Sequence, residues 1–156
     1  MNPIHNLLGL LLLSGYLVQD YWNLHWEQLQ QIQEAFVYKQ ISGFVLMWFV
    51  LEQWRLFLLR SQQKMRQANK NLHLHRELGL VAPLLLYAHT MSSGHAYQVF
   101  LTACFLTLAF LGSVYPPAFG LRKKWLCNFW IATHVTLSST LLLLIGVHVY
   151  VVYLYE

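Results

Sequence analysis

Two pairs of histidines with identical spacing constrain this chain more than any other feature. His75 and His89 are fourteen residues apart, and so are His134 and His148. On an α-helix, fourteen steps of ~100° return to nearly the same face after a rise of roughly 21 Å. Each pair therefore sets two imidazoles on one stripe, one near each side of a bilayer. One histidine in a membrane span is often a packed polar residue hydrogen-bonded to a neighbouring helix. Two pairs of equal period are harder to ascribe to packing, because ionisable residues in spans are costly and usually mark a function. Two such helices facing each other would offer two axial His–His couples stacked across the membrane, the ligand set for two b-type haems.

Composition points to the same setting. Only 10% of the residues are charged, against about 25% in an ordinary soluble domain. The 156 residues leave room for four or five membrane helices and for no separate nucleotide- or flavin-binding domain. The expectation is a single all-α domain, 1–156: a polytopic membrane helix bundle with a short amphipathic surface helix. About five transmembrane helices are expected, at about 4–22, 41–59, 75–91, 96–115 and 126–153. The fourth stops at Pro116-Pro117, which cannot continue a helix. Cys104 and Cys127 have neither metal-ligand spacing nor a disulfide framework.

Charge orders these segments. Arg55, Arg60, Lys64, Arg66, Lys70 and Arg76 lie between the second and third, and Arg122, Lys123 and Lys124 between the fourth and fifth. Nine of the ten basic residues are thus expected in two loops on one side, which the positive-inside rule makes cytoplasmic. The same distribution explains the formal charge of +4 as membrane orientation, with no nucleic-acid partner. Asp20, Glu27, Glu34 and Glu156 fall opposite, with Lys39. The N-terminus is then cytoplasmic and the C-terminus outside. Between Trp22 and Phe36, the residues Trp22, Trp26, Leu29, Ile32 or Gln33, and Phe36 recur at steps of three and four, the pattern of a short helix on the outer membrane surface. Glu52 is read as a solvated or Arg55-associated carboxylate.

The third and fifth segments both run outward, so His75 and His134 should share the inner depth, and His89 and His148 the outer. His73 is the other inner candidate, but sixteen residues from His89 it is rotated by about 160° from that face. His5, His25 and His95 fall at interfaces or in loops. Zinc is a poor alternative, since each level supplies two protein ligands where a structural zinc site takes four. Haem iron needs two, the porphyrin supplying the rest. No Cys-x-x-Cys-His occurs, so covalent c-type attachment is excluded.

The third segment reads HRELGLVAPLLLYAH and the fifth contains HVTLSSTLLLLIGVH. A His-Arg opening with a second histidine fourteen residues on, repeated as a His pair two spans later, resembles the ferric reductase-like transmembrane domain superfamily. That superfamily includes ferric reductases, NADPH oxidases and the haem-bearing membrane partner of a bacterial sulfoxide reductase. The resemblance covers roughly Leu74 to Val149. It implies His75, His89, His134 and His148 as ligands of two noncovalent haem b groups, and Arg76 as a partner of an inner haem propionate. The family usually has a sixth span and often a flavin and nicotinamide domain, whereas this sequence ends at YLYE just after the fifth. The expectation is therefore a minimal form, working as an electron-transfer subunit of a membrane oxidoreductase rather than as a complete enzyme. It would sit in the lipid bilayer, expected to be a bacterial inner membrane. Its partners would be separate donor and acceptor proteins or quinone, with other membrane subunits. A quinone-linked dihaem cytochrome b subunit and a nonredox structural or assembly subunit are the alternatives.

Overall fold

The computed structural model describes residues 3–116, 120–121 and 123–155. Pro117, Arg122 and Glu156 lie outside the described residues, as does the side chain of His5. Among the described residues there are six α-helices and no strand: α1 Pro3–Tyr21, α2 Glu27–Glu34, α3 Phe36–Ser61, α4 Met65–His89, α5 Tyr97–Ser113 and α6 Lys124–Tyr155.

The helices outrun the apolar segments that announce them. α3 begins at Phe36 and continues to Ser61, and α4 starts at Met65. Only Gln62, Gln63 and Lys64 connect them, with Gln63 in the left-handed region at φ 57°. The expected basic loop is therefore mostly helix. Arg55 and Arg60 ride on the end of α3, and Arg66, Lys70 and Arg76 on α4. Leu, Met, Arg, Lys and Gln are good helix formers, so helix persists where hydropathy falls. Lys124 likewise opens α6. The amphipathic stretch is helical only as the eight residues of α2, because Ala35 adopts an extended conformation (φ −65°, ψ 125°) and breaks it from α3.

α4 is the central element, packed on α1, α3 and α5, while α6 packs on α5 and is held away from close packing against α4. The buried core joins Leu13 and Tyr16 of α1, Phe49 and Val50 of α3, Ala82 and Leu86 of α4, Cys104, Phe105 and Leu106 of α5, and Leu141 of α6. Much apolar surface faces outward, including Leu11, Phe36, Val37, Phe100, Phe129 and Leu143, all at least 60% exposed. Two helices, α3 and α6, are long and apolar enough to cross a membrane. The other long helices are less apolar or shorter. α1 has polar ends at Asn6 and at Gln19-Asp20, α4 carries Arg66, Lys70, Arg76 and Glu77, and α5 has 17 residues.

Polar contacts tie one end of the bundle together. Gln33 of α2 is buried and donates from Nε2 to the Tyr87 carbonyl (2.7 Å) and the Ala88 carbonyl (3.1 Å). Tyr38 donates its hydroxyl to the Ala88 carbonyl at 2.8 Å, and the Met91 N–H reaches Gln33 Oε1 at 3.3 Å. Carbonyls in the last turn of a helix lack intrahelical donors, so α2 and the start of α3 act as a cap on α4. Asp20 accepts hydrogen bonds from the Ser93 N–H and the Ser93 hydroxyl, fastening α1 to the connection between α4 and α5.

Candidate functional site

Four histidines on two helices meet in two pairs. His75 of α4 faces His134 of α6, with ring centroids 6.2 Å apart and an interplanar angle of 71°. His89, the last residue of α4, faces His148 of α6 at 6.5 Å and 88°. These are the combinations expected from a parallel course of the two helices. The levels lie fourteen helical residues apart on each helix, an axial rise of roughly 21 Å. The ends of α3 and α5 and the starts of α4 and α6 surround the His75–His134 level. α2, the start of α3 and the α4–α5 connection surround the other.

The two ring separations can be compared with that needed to ligate one metal ion from opposite sides. A metal–imidazole nitrogen bond is ~2.0–2.1 Å. With about 1.1 Å from that nitrogen to the ring centre, two opposed ligands stand ~6.3 Å apart, centroid to centroid. Both observed values lie within a few tenths of an ångström of that distance. At the His89–His148 level α4 and α6 border a cavity of about 380 Å³, within the range of small-molecule and cofactor sites. Leu86, Phe105, Leu141 and Ile145 line its apolar depth. The ring separations at both levels, and the cavity at the His89–His148 level, fit a planar macrocycle that needs two further nitrogen ligands. Among the described residues no group of three or more His, Cys, Asp or Glu gathers.

The surroundings of the two pairs differ. Trp130, one turn before His134, stacks on its ring at 5.1 Å and 15°, and donates its indole N–H to the Leu111 carbonyl at 3.0 Å. Tyr115 meets Trp130 edge-on at 5.0 Å, and the Arg76 guanidinium lies over the Tyr115 ring at 5.4 Å. Arg76 is thus close in sequence and space to the His75–His134 pair, with an exposed side chain engaged on an aromatic face. Nδ1 of His75 and Nδ1 of His134 are enclosed without a hydroxyl partner, and the Gln53 backbone lies within hydrogen-bonding reach of His75.

At the other level both Nδ1 atoms have hydroxyl neighbours. Ser42 Oγ of α3 lies 3.0 Å from Nδ1 of His89. The Tyr97 hydroxyl lies 3.4 Å from Nδ1 of His148. Gly43 follows Ser42 directly beneath His89, and a Cβ there would stand 3.3 Å from His89 Cε1.

The remaining sequence candidates fall outside this arrangement. His73 is 83% exposed and points to Glu77 at 3.9 Å. His25 and His95 are exposed. Glu52 pairs with Arg55 at 3.4 Å, and Cys104 and Cys127 are free thiols. Ser42, Gly43, Tyr97, Tyr115 and Trp130 were not singled out from sequence. Trp130 had a usable signal, because i and i+4 share a helix face and it stands four before His134. Ser42-Gly43 interrupts an apolar run with two small residues, but nothing local says what they face. No family model matches this chain, and neither a curated protein nor a solved structure matches it.

Proposed function

We propose that this chain is an electron-transfer subunit of a membrane oxidoreductase. In this reading His75 with His134, and His89 with His148, hold two noncovalent b-type haems one above the other. The observation that carries it is metrical: four histidines of equal spacing meet in two pairs whose ring separations, 6.2 and 6.5 Å, both suit axial ligation of one iron. Haem at each level would supply a one-electron carrier within the bundle.

The chain's own residues supply ligation, enclosure and orientation. α4 and α6 project both imidazoles of a level from opposite sides. Trp130 holds the His134 ring by stacking, and Arg76, exposed beside the inner pair, would meet a propionate. In the proposed topology α1, α3, α4, α5 and α6 cross the bilayer and α2 lies on its outer surface. The length and apolar character of α3 and α6, the outward-facing apolar side chains and the position of Arg60, Lys64, Arg66, Lys123 and Lys124 around the end of α3 and the starts of α4 and α6 support it. That end is then cytoplasmic by the positive-inside rule, and an inner membrane of a bacterium is the proposed location. The likeness to the ferric reductase-like superfamily rests on the two His-x₁₃-His motifs and His75-Arg76. The electron donor and acceptor are proposed to be separate proteins or quinone.

A pyridine haemochrome assay on the detergent-purified protein tests the reading. The expected result is b-type haem at two per chain. Folded, helical protein that stays haem-free when produced with ample haem overturns it.

A further inference from the structure

Ser42 lies on α3, outside both histidine-bearing helices, yet its hydroxyl is 3.0 Å from Nδ1 of His89. A hydroxyl has one proton to give. The Ser42 hydroxyl lies 2.7 Å from the Tyr38 carbonyl and 3.3 Å from the Lys39 carbonyl. Carbonyls can only accept, and the shorter contact takes the proton. Ser42 Oγ is then left as an acceptor towards His89, so the shared hydrogen must be the histidine's own Nδ1–H. The chain His89 Nδ1–H to Ser42 Oγ–H to the Tyr38 carbonyl sets the tautomer and leaves the Nε2 lone pair of His89 for a metal.

Gly43 eases this approach. Its missing side chain lets α3 pass within contact distance of the His89 ring. Tyr38 itself is anchored, because its hydroxyl binds the Ala88 carbonyl beside His89. The acceptor is therefore held by both helices. At the inner level no hydroxyl holds Nδ1: that of His134 is enclosed without a partner, and His75 has the Gln53 backbone beside it.

We infer that Ser42 is a positioning residue that orients His89, fixes its Nδ1–H tautomer and makes it a stronger electron donor to the iron at the outer level. This inference rests on the haem reading above. A hydrogen bond that takes the Nδ1 proton raises the basicity of the ligating nitrogen. A more basic axial ligand favours ferric over ferrous iron and lowers the reduction potential. Ser42 thereby lowers the outer haem's potential without touching the iron.

The test is a redox titration of purified haem-loaded protein, comparing native chain with Ser42→Ala, Ser42→Cys and Ser42→Thr. Cysteine keeps the shape of serine with a larger terminal atom but accepts hydrogen bonds weakly, which covers the case in which alanine leaves a poorly packed helix. Haem content should remain two per chain. The component assigned to the outer level by its loss in His148→Ala should move to more positive potential in both Ala and Cys variants. The inner component should stay in place, and Thr should restore the native value. A haem-loaded Ala or Cys variant with both potentials unmoved overturns the inference and leaves the haem reading intact. Native protein without haem overturns the haem reading itself. A uniform shift of both components, or failure of Thr to restore, marks Ser42 as a packing residue and also overturns the inference.

Discussion

The two histidine levels share a spacing and a ring separation, and they share little else. At the His75–His134 end the pair is held by aromatic surfaces: Trp130 on His134, Tyr115 on Trp130 and Arg76 over Tyr115. At the His89–His148 end it is held by hydroxyls and enclosed by a cavity. Stacking fixes a ring plane and leaves open which ring nitrogen carries the proton. A hydroxyl whose own proton is committed elsewhere, as that of Ser42 is to the Tyr38 carbonyl, fixes both the plane and the proton. Nearly equal ring separations can thus be built from two kinds of support, and the second kind would give a handle on the electronic character of an imidazole that ligates a metal. The polar end is also where α2 caps α4 through Gln33, so the two ends differ in what keeps α4 in register.

The largest effects should come from the ligands themselves. His89→Ala or His148→Ala should each abolish the same redox component, and His75→Ala or His134→Ala the other. Spectroelectrochemistry of the four variants reads this directly. Loss of one component by both His75→Ala and His148→Ala would break the pairing. Next in size is Gly43→Val. A Cβ alone would press on His89 at 3.3 Å, and overpacking costs about 1–3 kcal/mol. The outer haem should be substoichiometric while the inner stays fully occupied. Equal loss at both levels would erase the distinction between them.

The polar cap sets a third comparison. Gln33→Ala leaves the Tyr87 and Ala88 carbonyls short of one donor, and an unmet buried polar group costs about 1–3 kcal/mol. Limited proteolysis should then open the α2–α3 region and the α4–α5 connection first, with the inner haem retained longest. Trp130→Leu should have the smallest effect. An aromatic pair contributes about 0.5–1.5 kcal/mol beyond burial, so transfer of the inner haem to an apo-haem acceptor should quicken by roughly 2–10-fold, with outer-haem loss unchanged.

How much of this was legible in the sequence varies with the reach of each signal. The pairing of His75 with His134 and of His89 with His148 could be read because a fourteen-residue period is a local property of each helix, and the charge pattern orders the helices. His73 could be set aside by rotation alone, and it is exposed in the structure. Helix ends were less legible. Hydropathy marks the apolar stretch, while α3 and α4 continue through Arg55–Ser61 and Met65–Leu74 on helix propensity, leaving a three-residue turn where a long basic loop was expected. Ser42 and Tyr97 were not legible at all. Their role depends on α3 and α5 packing beside His89 and His148, at separations of 47 and 51 residues, and no local pattern encodes such a meeting.

The central claim is that two irons are each held between two imidazoles set nearly at right angles. Low-temperature electron paramagnetic resonance of the oxidised native protein tests it most directly. Axial imidazoles at 71° and 88° predict two strongly anisotropic low-spin ferric signals, the kind given by crossed ligand planes, together accounting for two haems per chain. A stoichiometric high-spin ferric signal, or no ferric haem signal in folded protein, would contradict it.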